Sequence, residues 1–376
     1  MDIPSKNGPP KILQLSHGKI IPAYSSAYAL RCRRYLDLFP EREILSVGGL
    51  IFKDKHENAA SEYRSLIMTV MAVLKGERSL EIFLSMGKYL RKKYLRVLKN
   101  KIDGSQIIIF EGPWQYPLVR ELLTDKIVIY DAHNVESALR KGNRWEEYTS
   151  DIERELAKRA ELIITVSDED RKSFSELFNT ASDMIATIPE GYELPEGTWQ
   201  GLSSEIVFIG SAYGPNIEAA NEVLKVAESL PEFTFKIIGT VCSSLPRKRP
   251  SNVRLLGLLD KKNKEREICS SFLALNPMKV GSGRNLKMND YISHGVPIIT
   301  TEVGARGFDE EIKKTFFIVG CDEISNKIMD ISFQHNELIE ISNKMIAYAK
   351  ANSYENTKLE SYKAVMTVFG HRNKLL

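Results

Sequence analysis

The sequence predicts an α/β chain of two domains, each a parallel sheet covered by helices. Short apolar runs alternate with helical stretches along the whole length, the order expected of strands joined by helical crossovers. The runs are rich in Ile and Val and lack strict alternation, as strands buried on both faces do. Finally, 376 residues suffice for two cores, and a stretch dense in Pro, Gly and acid, Pro189–Gly197, interrupts the series near its middle.

In chain order the first series of expected strands is Lys11–Leu15, Ile44–Val47, Gln106–Phe110, Lys126–Tyr130 and Leu162–Val166. The second is Glu205–Ile209, Phe233–Ile238, Val253–Leu256, Phe272–Leu275, Val296–Thr300 and Phe316–Val319. Two sheets of five or six strands follow, with a first domain over 1–190, a linker over 191–204, a second domain over 205–350 and a terminal segment over 351–376. That last segment reads as a helix: Ser353 stands at its start, and Leu359, Tyr362, Val365, Met366 and Phe369 fall on one face. Ligands of open α/β sheets bind outside the carboxyl ends of the strands, so the loops there are the places to search for chemistry.

Composition narrows the function. A hydrophobic fraction of 43% with 27% charged residues is ordinary for a globular protein, and a net charge of +3 argues against a nucleic-acid binder. No run of about 18 apolar residues predicts a spanning helix. Met1–Pro10 is polar and lacks the apolar centre of a signal peptide. Cys32, Cys242, Cys269 and Cys321 are far apart, so a cytoplasmic chain with buried or idle thiols is expected. The histidines show no metal-ligand spacing and no His/Cys/acid cluster is apparent, so no metal is expected; no P-loop or GxSxG sequence occurs.

The most informative stretch is Asn276-Pro-Met-Lys-Val-Gly281-Ser282-Gly283-Arg284-Asn285-Leu286-Lys287-Met-Asn-Asp290-Tyr-Ile-Ser-His294-Gly295-Val-Pro297. It follows an expected strand, passes two glycines and enters a short helix that Gly295 ends. Glycine lets backbone approach a ligand, and a helix start presents unpaired N–H groups with positive partial charge. Together these make an anion site, to which Arg284 and Lys287, three apart and able to share a face, add full charge. Asp290 is set back by one further turn, where a carboxylate can accept hydrogen bonds from a ribose diol.

This stretch resembles the donor-binding signature of the retaining glycosyltransferases of family four, which have the GT-B fold. Gly281–Lys287 is similar to the family's glycine-rich loop followed by Thr-Arg-Leu-Lys, and Gly295-Val-Pro-Ile-Ile-Thr-Thr301 to its Gly-x-Pro-Val-Val-Ala-Thr. Val207-Phe-Ile-Gly210-Ser211 with Pro215-Asn216, and Val303-Gly-Ala-Arg-Gly307, resemble its flanking loops. The resemblance is clearest over 205–310. It implies two Rossmann-like domains facing across a cleft, an acceptor domain first and a donor domain second, with 351–376 as a crossover helix packed on the first. It further implies transfer of a sugar, with retention and without metal or other cofactor, from a nucleotide-diphosphate sugar to a glycan or lipid-linked glycan. Donor-binding positions carried over are Gly210, Ser211, Gly281, Ser282, Gly283, Asn285, Leu286 and Asp290, the last on ribose, while Arg284 and Lys287 would stabilise the leaving group. Ser282 stands where the family has the first glutamate of a pair, and the basic residues many members carry near Gly210 are missing. These departures motivate an alternative, a GT-B scaffold or nucleotide-binding partner without catalysis; a nucleotide-sugar epimerase of the same fold is a weaker third reading.

In the first domain, Asp131-Ala-His133-Asn-Val-Glu-Ser137 directly follows a strand and is similar to the family segment whose histidine faces the donor sugar. His133 is therefore a candidate catalytic residue, against the simpler reading that His133 and Asn134 cap the next helix. Glu111 also ends a strand, where a carboxylate is more often solvated, although an acceptor-side role is open. Ile21–Ser26 follows the first strand where the family often has two glycines, and Ser25 and Ser26 retain only the small size. His294 reads as a helix C-terminal residue favoured by the dipole. Gly87–Lys101 holds seven Lys and Arg and no acid, with Leu90, Tyr94, Val97 and Leu98 at helical spacing. It raises peripheral contact with an anionic membrane, against the plainer reading of a domain helix with solvated charges.

Overall fold

In the computed structural model, residues 9–18, 27–35, 38–39, 42–48, 60–64, 66–75, 80–88, 90, 92–201, 203–280 and 284–375 are described. The loop Ile21–Ser26 and the glycine pair with its serine, Gly281, Ser282 and Gly283, lie outside them. The chain divides into two compact units, one running to Glu190 and taking in Thr357–Leu376, the other Gly191–Asn356.

The first unit carries strands β1 (Ile12–Ser16), β2 (Arg42–Gly48), β3 (Ala60–Arg64), β4 (Ile107–Phe110), β5 (Ile127–Asp131), β6 (Leu162–Thr165) and β7 (Ile185–Thr187). They form one parallel sheet in the order β3-β2-β1-β4-β5-β6-β7. Seven strands stand where five were expected. The two additional ones are the edges: β3, sequence Ala-Ser-Glu-Tyr-Arg, is polar, and β7 is three residues long, so neither gives the apolar run by which buried strands are recognised. Alternate residues of the central strands enter opposite cores, as a period of two requires. Ile108 and Phe110 join Leu13, Leu15, Val128 and Tyr130 on one face, and Ile107 and Ile109 join Ile12, Ile127 and Ile129 on the other.

The second unit holds β8 (Glu205–Ile209), β9 (Thr234–Ile238), β10 (Val253–Gly257), β11 (Leu273–Asn276), β12 (Ile298–Thr300) and β13 (Phe316–Ile318), parallel in the order β10-β9-β8-β11-β12-β13. Ile206, Phe208, Leu273 and Leu275 face one core, and Val207, Ala274 and Ile298 the other. In each sheet the chain order reverses beside the first strand, between β1 and β4 and between β8 and β11. Such switch points open a crevice at the carboxyl ends of the strands.

The stretch 191–204, expected as a linker, is fastened to the second unit. Tyr192 is buried in its core, bridges to Ser353 and exchanges backbone hydrogen bonds with Asn352 and Tyr354. Trp199 donates its amide to His294 and its indole N–H to the carbonyls of Ser271 and Phe272. The last helix spans Tyr354–Leu375, and the Ser353 hydroxyl accepts the Asn356 amide at its start. Val365 and Phe369 lie in the core of the first sheet with Ile107 and Ile129, and Tyr362 and Met366 pack against it. Leu359, expected on the same face, is 47% exposed.

Candidate functional site

In the second unit the helix Lys287–His294 starts after β11 and ends at Gly295, whose φ of +72° is the left-handed conformation that stops a helix cheaply only at glycine. Its first residue, Lys287, is half-buried, with its ammonium packed among protein groups. Nζ donates to Asn216 Oδ1 at 2.8 Å, touches Met278 Sδ and sits 4.5 Å from the centre of the Phe208 ring. Burial lowers its pKa from 10.5 to about 7, because desolvation penalises the charged form. Asn216 in turn donates to Ser211 Oγ at 3.0 Å. The loop after β8, carrying the predicted Gly210 and Ser211, is thereby joined to the predicted Lys287. A Cβ on Gly210 would reach 3.0 Å from the Phe208 ring, so the small residue here keeps that ring in place under the ammonium.

Arg284 lies just before the helix and takes different partners from Lys287. Its guanidinium covers the Phe308 ring at 4.3 Å, and Nη2 donates to the Tyr192 hydroxyl at 2.5 Å and to Asn289 Oδ1 at 3.1 Å. Nε is buried without an acceptor. Asn285 Nδ2 donates to the Gly304 carbonyl. Gly304 is enclosed: a Cβ there would stand 2.2 Å from Thr300 Oγ1 and 2.7 Å from Asn276. Among the described residues neither Arg284 nor Lys287 has a carboxylate partner, and the amides of Arg284, Asn285 and Leu286 find no acceptor. Asp290 faces Lys264, whose Nζ is 2.9 Å from Oδ1 with both side chains about one-third exposed, an ion pair the sequence did not suggest.

In the first unit, Glu111 and His133 follow the carboxyl ends of β4 and β5, whose last mutual pair is Phe110 with Tyr130. Glu111 is fully buried, correcting the expectation of a solvated carboxylate, and its Oε2 lies 2.6 Å from His133 Nε2. Its Oε1 accepts from Gln14 Nε2, which also donates to the Cys32 carbonyl at 2.8 Å. His133 does not cap the helix Glu136–Leu139, whose N-cap is Val135 without a side-chain bond. That helix start is held instead by the buried Glu153, which accepts the amides of Glu136 and Ser137 and the Tyr130 hydroxyl. The Tyr28 ring lies 4.6 Å from that of His133 and 4.7 Å from that of His17. His17 is held neutral, its pKa lowered to about 3 by burial and then by the neighbouring His133 and Arg140. Asp131, next along the same edge, serves the fold: Arg31, Arg34 and the Tyr35 hydroxyl surround it. Burial pushes its pKa up, and the two guanidiniums more than reverse that, holding it well below the usual range.

Folding also gathers a cluster that sequence spacing did not show, Cys32, Glu111 and His133, with ligand atoms within 4.8 Å of one another. Two ligands on one tetrahedral zinc ion stand roughly 3.3 Å apart, whereas Glu111 and His133 are at 2.6 Å, a hydrogen-bond distance. Burial and then the Glu111 charge raise the Cys32 pKa, which keeps it a thiol. The three residues as placed form a hydrogen-bonded group.

No protein-family model and no curated protein sequence matches the chain. Solved structures do. HepE from Anabaena in complex with UDP aligns with a TM-score of 0.68 at 11% identity, over 95% of this chain and 100% of that one. Trehalose 6-phosphate synthase from Burkholderia multivorans gives 0.64 at 11%, over 96% and 100%, and TarM 0.62 at 11%, over 94% and 98%. The chain has the GT-B fold. HepE is also solved in complex with UDP-glucose; at these identities the likeness establishes architecture, and function must be argued from the site.

Two other expectations on this GT-B chain are corrected or refined. His294 does end its helix, but it is buried, its Nδ1 is 2.6 Å from the Asp290 carbonyl, and burial lowers its pKa; desolvation outweighs the helix dipole and the ring is neutral. The basic stretch contains the helix Lys92–Asp103, which buries Tyr94, Leu98 and Ile102 within the first unit, with Leu90 and Val97 packed against the same core. Lys92, Lys93, Arg96 and Lys99 face outward. The apolar stripe is thus already covered. No helix among the described residues is long and apolar enough to cross a membrane.

Proposed function

We propose that the protein is a glycosyltransferase that takes sugar from a nucleotide-diphosphate donor bound by its second unit. One observation carries this reading: among the described residues Arg284 and Lys287 are two cations held only by neutral acceptors and aromatic faces, beside three backbone amides without acceptors. A partly buried charge left without a counter-charge is costly unless a ligand supplies one, and a helix start with free amides suits a pyrophosphate. When the sugar–phosphate bond breaks, charge grows on the leaving diphosphate, where these groups would stabilise it. Asp290 would accept from the ribose hydroxyls, with Lys264 holding its carboxylate. His133 would contact a sugar hydroxyl. The reaction we assign retains the anomeric configuration, needs no metal, and passes the sugar to a glycan or lipid-linked glycan.

The direct test is a panel of UDP-, GDP-, ADP- and dTDP-sugars with release of the nucleoside diphosphate as readout, run with and without EDTA. Release in the presence of candidate glycans, undiminished by EDTA, is the expected result; NMR of the product gives its anomeric form. Tight binding of UDP or GDP with no turnover of any donor would instead mark a non-catalytic GT-B scaffold. Contact with an anionic membrane, if made, rests on the outward lysines and arginine of Lys92–Asp103 and not on an inserted apolar face. Flotation with phosphatidylserine vesicles should then disappear between low and high salt.

A further inference from the structure

Among the described residues two buried acids of the first unit pair with no cation, Glu153 and Glu111, and Glu153 is occupied by the helix-start amides of Glu136 and Ser137 and by the Tyr130 hydroxyl. Asp131 is neutralised by two arginines, and Glu136 by Arg140. Glu111, with no exposure at all, has among the described residues the Gln14 amide, the Cys32 thiol and the His133 ring as its side-chain partners, and no cation. A packed apolar residue at that position would serve stability better than a carboxylate without a cation, so the group is there for what it does to the imidazole. We infer that Glu111 is the positioning residue of His133: it holds the ring with its proton on Nε2 and so leaves Nδ1 as a hydrogen-bond acceptor for a sugar hydroxyl. This deepens the reading of His133 as a sugar-contacting group and rests on it.

The two nitrogens of a neutral imidazole take opposite roles, and the bond made by one sets the other. An ionised carboxylate can only accept, so Nε2 must donate to Oε2 at 2.6 Å. Nδ1 has no partner among the described residues. A ligand group meeting it must therefore bring a proton, as a hydroxyl does and a carbonyl or phosphate oxygen does not. Gln14 makes the arrangement one-way. Its Nε2 donates both to the Cys32 carbonyl and to Glu111 Oε1. In Glu111→Gln the new amide must keep its oxygen toward Gln14, which turns its NH2 toward His133. Nε2 then has to accept, and the proton moves to Nδ1.

The experiment uses the full chain with 15N-labelled histidine, and His133→Gln to assign the signal. Long-range 1H–15N spectra should show wild-type His133 as the Nε2–H tautomer and Glu111→Gln as the Nδ1–H tautomer, with an unchanged melting temperature. Turnover of the best donor from the panel should fall about 10²–10⁴-fold in Glu111→Gln, as for a histidine held in the wrong tautomer. UDP affinity should stay the same. A wild-type Nδ1–H tautomer, or an Nε2–H tautomer that survives Glu111→Gln, overturns the inference. If Glu111→Gln does not fold, the wild-type spectrum alone decides it. If no donor turns over, the transferase reading fails while the spectra still test the pair.

Discussion

Lys287 offers a test in which one residue links stability, pH and ligand affinity. The perturbation is Lys287→Met, which keeps length and removes charge. A pKa of about 7 in place of 10.5, at about 1.36 kcal/mol per tenfold change in proton affinity, puts ~5 kcal/mol as the ceiling on what the enclosed ammonium costs. The half-buried side chain lets water relieve some of this, so the variant should gain about 1–3 kcal/mol of stability. The sign follows from proton counting. Between pH 7 and 10.5 the unfolded chain binds the proton and the folded one does not, so the stability of the unliganded protein rises with pH. The cost is full below pH 7 and vanishes toward 10.5, and the advantage of the variant should fade over the same range. Affinity must move the other way. A diphosphate draws on the charged form, which is half populated near pH 7 and about 1% populated at pH 9. UDP or GDP should therefore bind about 50-fold (~2.3 kcal/mol) more weakly at pH 9 than at pH 7, with proton uptake on binding. Isothermal titration in buffers of different ionisation enthalpy measures both. Wild-type affinity that is flat from pH 7 to 9, without proton uptake, refutes the claim that this ammonium meets the anion.

Three further outcomes follow. Asp290→Ala should weaken nucleotide binding by roughly 1–3 kcal/mol, the loss of charged hydrogen bonds, while changing the melting temperature little, since the Lys264 pair is partly exposed; unchanged UDP and GDP affinity would remove the ribose role. Gly304→Ala drives a Cβ to within 2.2 Å of Thr300 Oγ1 and 2.7 Å of the Asn276 backbone, so thermal denaturation should show a loss of about 1–3 kcal/mol from overpacking. Asp131→Asn leaves Arg31 and Arg34 buried without a counter-charge and should cost about 3–5 kcal/mol. Because the folded pKa of Asp131 is depressed, the stability it contributes is present above about pH 4 and lost as pH falls, and the variant should lose that part of the wild-type acid transition.

How far the sequence carries depends on whether a feature is local. Arg284, Lys287 and Asp290 lie within one turn-and-helix segment, so their spacing alone brings them near one another. Their partners are not local: Asn216 is 71 residues from Lys287, Tyr192 is 92 from Arg284 and Lys264 is 26 from Asp290. The sequence therefore showed the charges but not that Asp290 is neutralised and that the two cations, among the described residues, are not. Glu111 and His133, 22 residues apart, were each recognisable as strand-end residues. A signal to join them did exist: both end strands of one parallel sheet, and neighbouring parallel strands carry their C-terminal residues to the same edge. The step from strand end to solvated carboxylate failed because it weighed exposure alone and left out the adjacent strand.

The placement of charge in both units argues for sites at the two switch points. Acids and bases that serve the fold are matched: Asp131 with Arg31 and Arg34, Glu136 with Arg140, and the buried Lys236 with Glu205 and Glu267. Among the described residues, apart from Glu153, which the helix-start amides hold, Glu111 beside β1 and β4 and Lys287 and Arg284 beside β8 and β11 have no charged partner of opposite sign. A chain selected for stability alone would have paired or removed them, since each is enclosed where water compensates poorly. They are also opposite in kind. The carboxylate directs an imidazole acceptor at a hydroxyl, and the two cations and free amides await an anion. Each group thus points to its own ligand chemistry, and the fit of a diphosphate to the cations and amides of the second unit, more than the likeness of fold, is the argument for glycosyl transfer.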